Sequence, residues 1–126
     1  MYKSSYKAIA QALTAALTRP GVFVGGTADY PRVEIHTFVE NPPTDKGDAV
    51  RVLSCIVESM STTSPEDAAT MNAENLELLD GITYEGEDFS VIGWTPVQLQ
   101  NLTETSDPQL ILHRVLQTID IYVQQS

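Results

Sequence analysis

The chain is poor in the residues that usually carry chemistry. It has one cysteine, two histidines and one tryptophan in 126 residues. A lone Cys55 rules out an internal disulfide, and its place inside an apolar run reads as a buried, inert thiol. His36 and His113 fall in strand-like runs, without the HxH or HExxH spacing of a metal site. Basic residues are also scarce. Seven Lys and Arg stand against 17 Asp and Glu, for a net charge of −10. Lys3, Lys7, Arg19, Arg32, Lys46, Arg51 and Arg114 are scattered, so the clustered cations that grip nucleic acid phosphates are missing. No apolar run approaches the ~20 residues of a membrane span. Met1–Lys7 lacks the apolar core of a secretory signal.

Catalytic spacing is missing as well. Cys55 with His36 or His113 would make a nucleophile–base pair in principle. No glycine-rich elbow surrounds Cys55, and no Gly-x-Ser-x-Gly motif occurs. Gly25-Gly26-Thr27 is not followed by the Lys-Ser/Thr of a phosphate loop. The acidic turn around Glu85, Glu87 and Asp88 lacks the spacing of a calcium loop. Glu66, Asp67, Glu74 and Glu77 read as a solvated helix face.

What is present is a legible order of elements. At this length one domain over 1–126 is expected. Tyr6, Ile9, Ala10, Leu13, Ala16 and Leu17 recur at helical spacing and predict a helix over Tyr6–Thr18. Ser4 or Ser5 can cap it, and Pro20-Gly21 ends it. Val22-Phe23-Val24 is a brief strand or an extended connector. Arg32–Glu40 alternates, with Val33, Ile35 and Val39 expected on one face and Phe38 breaking the polar side. Asn41-Pro42-Pro43-Thr44-Asp45-Lys46-Gly47 is a loop. Ala49–Met60 reads as an interior strand, with Leu53, Cys55 and Val57 on one face and Val50, Val52 and Ile56 on the other.

Ser64-Pro65-Glu66-Asp67 is a strong helix start, followed by a helix to about Leu79 and a stop at Gly81. Ala69, Ala73, Leu76 and Leu79 are expected to face a sheet. Phe89–Trp94 and Val97–Leu102 form a third extended run, with Pro96 implying an edge or a bulge. Glu104–Pro108 reads as a turn. Leu110–Gln124 is the last strand, with Ile111, Val115, Ile119, Ile121 and Val123 on one side. Runs this long must bend or reach beyond the domain body. The fold class is therefore α+β: a mainly antiparallel sheet of about four long strands, with two helices on one face.

The arrangement resembles the tail-terminator and tail-completion (head–tail joining) proteins of long-tailed bacteriophages. The resemblance is carried by the helix Tyr6–Thr18, by Val22-Phe23-Val24-Gly25-Gly26, and by Tyr30-Pro31-Arg32-Val33-Glu34-Ile35. The long-tipped hairpin, the Ser64–Leu79 helix and Leu112-His113-Arg114-Val115-Leu116 in the final strand complete it. It implies a structural virion protein, made in the host cytoplasm, with no catalytic residues, cofactor, metal or membrane. The implied partners are further copies of the chain in a ring, usually hexameric, the tail tube protein, and the head connector or stopper. DNA would pass through such a ring without specific binding, and an acidic surface suits that passage. The polar tips are the expected partner contacts: Asn41, Pro42, Pro43, Thr44, Asp45, Lys46 and Gly47, with Thr103, Glu104, Thr105, Ser106 and Asp107. Other readings are a different neck or connector protein, or a small binding module whose sheet face is lined by Trp94, Tyr84 and Phe89. A hydrolase or isomerase is a third class.

Overall fold

The computed structural model describes residues 4–25, 29–41, 50–82, 84–86, 88–107 and 110–125. The chain order is α1 (Tyr6–Leu17), β1 (Phe23–Val24), β2 (Arg32–Asn41), β3 (Val50–Ser61), α2 (Pro65–Asp80), β4 (Phe89–Asp107) and β5 (Leu110–Gln125). The strands form one sheet in the order β1-β2-β3-β5-β4. All neighbours are antiparallel except β1 and β2, which run parallel. The expected class holds, with the Val22–Val24 segment supplying a short fifth strand.

Both helices cover the same face. Leu53, Cys55 and Val57 of β3 and Ile119, Ile121 and Val123 of β5 meet Ile9, Leu13 and Leu17 of α1 and Met71 and Leu79 of α2 in one buried cluster. Full burial of one such aliphatic side chain contributes roughly 1.5–3 kcal/mol, so this cluster outweighs any surface contact. The opposite, open face carries Val50, Val52, Ser54 and Ile56 only half-buried.

The helix ends follow different chemistry. Ser64 caps α2 as its sequence predicts: its Oγ accepts from the Asp67 N–H at 3.0 Å, and Pro65 follows at the first helical position. Gly81 ends α2 without entering the left-handed region, at φ −93°. At α1 the Ser5 side chain makes no cap bond. Ser5 instead donates its N–H (2.6 Å) and its hydroxyl to Glu40 of β2. The Glu40 carboxylate thus sits at the positive end of the helix, where an anion is favoured.

Two expectations about facing are corrected. Val39 does not share a face with Val33 and Ile35. Cys55 stands opposite both Thr37 and Phe38, because the register slips between His36 and Val39. Thr37 takes up the slip at φ 57°. One extra residue reverses the facing beyond it. Phe38 therefore packs inward, edge-on to Tyr6 at 4.6 Å, while Val39 is 52% exposed. On α2, Ala69 and Ala73 are exposed, and the buried residues are Ala68, Met71, Asn72, Asn75 and Leu79. The two asparagines go inward because the sheet offers them polar partners. Asn75 donates to Ser59 Oγ at 2.8 Å and accepts from Arg19 at 2.7 Å. Asn72 lies 3.4 Å from Gln117.

The β4–β5 hairpin is longer than the sheet behind it. His113 pairs with Ser61 on one side and Thr103 on the other, and beyond that row β4 and β5 continue as two strands. The long final runs do reach past the body. Thr103–Asp107, expected as part of a turn, belongs to β4, where Thr105 pairs with Ile111 and Asp107 with Leu110. Threonine suits an extended backbone, and the pairing with β5 overrides the polar composition.

Asn75→Ala would remove the amide that joins buried Ser59 to half-buried Arg19, at a cost of about 1–3 kcal/mol. Ser64→Ala would cost about 1 kcal/mol as a lost cap. The exposed change Ala73→Ser should stay within about 0.5 kcal/mol. Urea unfolding of the three variants checks this order. An Asn75→Ala variant as stable as the parent would show that the polar contacts under α2 are not needed.

Candidate assembly interface

The residues with chemical potential are held apart. Cys55 is buried beneath the helices at 1% exposure. Burial, with the Asp120 charge adding, pushes its thiol pKa up to about 12, so the thiolate is negligible near neutral pH. His36 is paired opposite Ile56, whose side chain lies on the open face, whereas Cys55 faces the helices. His113 is opposite Ser61 on one side and Thr103 on the other. Among the described residues, no three His, Cys, Asp or Glu side chains are placed to hold a metal ion. Among them, too, no helix is long and apolar enough to cross a membrane.

Among the described residues, the open face carries a charged row across four strands, which the sequence did not reveal. Glu58 of β3 is only 2% exposed. His36 of β2 reaches its Oε1 at 2.7 Å, and Arg114 Nε of β5 donates to its Oε2 at 2.5 Å. Arg114 also donates to Glu104 of β4 at 2.8 Å. Burial pushes the Glu58 pKa up. The hydrogen bonds and charges of Arg114 and His36 together outweigh it and hold the carboxyl below its ordinary value. Arg114 is raised in turn, first through its bond to Glu58. Such a row fixes strand positions.

Edges and tips are among the surfaces left for partners. Of the expected contact residues, Asn41 ends β2, and Pro42, Pro43, Thr44, Asp45, Lys46 and Gly47 lie outside the described residues. Thr103, Glu104 and Thr105 are exposed on β4, so they present a strand rather than a loop. Ser106 and Asp107 end that strand, with a register slip between Thr105 and Asp107. The aromatic sheet face of a binding module is not formed. Phe89 is buried, and Tyr84 and Trp94 pack against the helix-side core.

β4 is the outer strand, and its irregularities aim side chains outward. Ile92 is the extra residue in one register slip and Val97 in another, and they are 54% and 56% exposed. Bulges and Pro96 blunt a strand edge against uncontrolled pairing. From Gln98 to Thr105 the pairing with β5 runs without a slip, and Leu99 and Leu102 stand 49% and 39% exposed there.

No protein-family model matches the chain, and no curated protein matches it. Among solved structures it is similar to the gp17 protein of bacteriophage SPP1, with a TM-score of 0.54 and 16% sequence identity. The match covers 94% of this chain and 91% of that one. At this identity the likeness is one of fold. The resemblance read from the order of segments thus has a structural counterpart in a phage protein.

Two measurements test this description. A carboxylate whose folded pKa is depressed contributes stability above its unfolded pKa, about 4.3 for Glu. That stability is lost as pH falls through the folded value. Glu58→Gln should therefore cost about 1.5–3 kcal/mol at pH 7, with the gap to the parent closing below about pH 4. Glu104→Ala, at the exposed end of the row, should cost less than about 1 kcal/mol. Urea unfolding at pH 7, 5 and 3 reads both; a Glu58→Gln deficit as large at pH 3 as at pH 7 would refute the electrostatic account. Separately, Cys55 should resist a thiol reagent at pH 8 in the folded protein and react fully in urea. Rapid labelling of folded protein would contradict its burial.

Proposed function

We propose that the chain is a structural protein of a phage neck or tail, forming a ring that ends the tail tube and joins it to the head connector. The observation that carries the reading is the fold likeness to a phage protein over nearly the whole chain. Three further features support it. Glu58, Arg114 and His36 position strands and Cys55 is buried, and the reading is accordingly non-enzymatic. A net charge of −10 suits a wall that DNA slides past without adhering. A head-to-tail contact repeated about a closed rotation yields a ring, and a long outer strand offers such a contact. The Asn41–Gly47 tip and the Thr103–Asp107 segment are the proposed contacts with the tail tube and the connector.

Native mass spectrometry and negative-stain imaging of the full chain, alone and with tail tubes, test the proposal. The expected result is one closed ring with a central channel, free or seated on tube ends. A protein that stays monomeric at all concentrations and does not bind tube ends would overturn it. Shortening Asn41–Gly47 to a two-residue turn should leave the melting temperature nearly unchanged and abolish seating on tubes. Normal seating by that variant would remove the tip from the interface.

A further inference from the structure

We propose that the straight outer half of β4, Gln98–Leu102, pairs with the β1–β2 edge of a second copy of the chain, joining neighbouring sheets into one. The inference rests on the ring reading and names the surface that would build it.

Three observations carry it. First, charge is absent from the Gln98–Leu102 half of β4 and from β1. Residues 89–103 are the longest stretch of the sequence without a charged side chain, fifteen in a row, and residues 20–28 also lack one. In a chain of net charge −10, two copies repel each other except where such surfaces meet. The blunting charges usual on an outer strand, lysine above all, are missing from this half of β4.

Second, the two edges match in level. Pairing links Phe23, Arg32, Met60, Arg114 and Leu102 in one row across the whole sheet. Phe23 and Leu102 are its two ends, and they are 46% and 39% exposed. The row of Ile35, Val57 and Gln117 likewise ends at Leu99, and that of His36, Ile56 and Thr118 at Gln98. Moving one copy sideways by the width of the sheet brings Phe23 of that copy against Leu102 of the first.

Third, strand direction agrees. Alternation through β2, β3, β5 and β4 leaves β4 antiparallel to β2, and β1 runs with β2. The sideways move therefore creates an antiparallel joint, like most of the joints within each copy. β1 pairs only Arg32 and Val33 of β2, so the composite edge continues along Glu34–His36. Pairing β4 with β4 of a second copy would instead close a two-fold dimer and leave Phe23 exposed.

The test uses Phe23→Cys and Leu102→Cys, with Cys55→Ser in the background. Mixed in equal amounts and oxidised mildly, the two variants should form disulfide-linked pairs at least tenfold faster than either alone. A chain carrying both changes should give a ladder of linked copies. Leu99→Lys with Leu102→Lys should lose the ring in native mass spectra while keeping the parent melting temperature, since both positions are exposed. Leu102→Cys linking to itself as fast as in the mixture would overturn the proposal in favour of the two-fold joint. A ring that survives both lysines would overturn it while leaving the ring reading intact. A parent protein that forms no ring would sink both.

Discussion

Twelve consecutive pairs between β3 and β5, from Val50 with Gln124 to Ser61 with His113, run without a slip. Everything else is fitted to this ruler. Both helices rest on its helix-side residues, and the irregularities fall on the strands outside it, β2 and β4. The reason is cooperative. A central pair packed beneath helices cannot absorb an extra residue without turning its aliphatic side chains outward, whereas an outer strand faces a partner on one side only. Slips therefore collect where they cost least.

The charged row on the open face makes the same register costly to shift. Glu58 alternates with Val57 and Ser59, so a one-residue slip would carry a carboxylate beneath the helices and away from Arg114 and His36. A buried ion pair is weak evidence of net stability, because desolvation offsets much of the attraction. Its contribution here is the difference between the correct register and the wrong one, which is larger than the pair's own net worth.

The sequence was legible where a signal is local. Ser64-Pro65 marks a helix start by its own chemistry, and the alternation along Val50–Met60 and Leu110–Gln124 reports which side of a strand is covered. It was not legible where the cause sits on another strand. Thr37 takes a positive φ without a glycine to announce it, because its bulge is set by the pairing of β3. Asn72 and Asn75 turn inward because Gln117 and Ser59 wait there, 45 and 16 residues away along the chain. Thr103–Asp107 reads as a turn by composition, and only its partners Leu110–His113 make it a strand. Glu58, Arg114, His36 and Glu104 look like unrelated polar positions until four strands bring them into line. The outer contacts proposed for the tips were judged from the same local composition, which is why part of that set proved to be strand.

The two irregular edges share one further property. The slip in β2 stands opposite Cys55, the middle one of the three slips in β4 lies beside Ile119, and Cys55 and Ile119 are paired with each other. One added residue at each rim, on a single line through the centre, acts as a crease: bulges bend a strand and tighten its twist, and here both borders bend at the same place. The coding consequence is a rule of parity. Between Val33 and Glu40 the inward positions are an odd number of steps apart, which a regular strand does not allow, so losing the codon for Thr37 would remove the bulge and leave Val33, Ile35, Phe38 and Glu40 two steps apart on one face. Chain length across the crease thus governs how the border bends rather than which side chains reach the core.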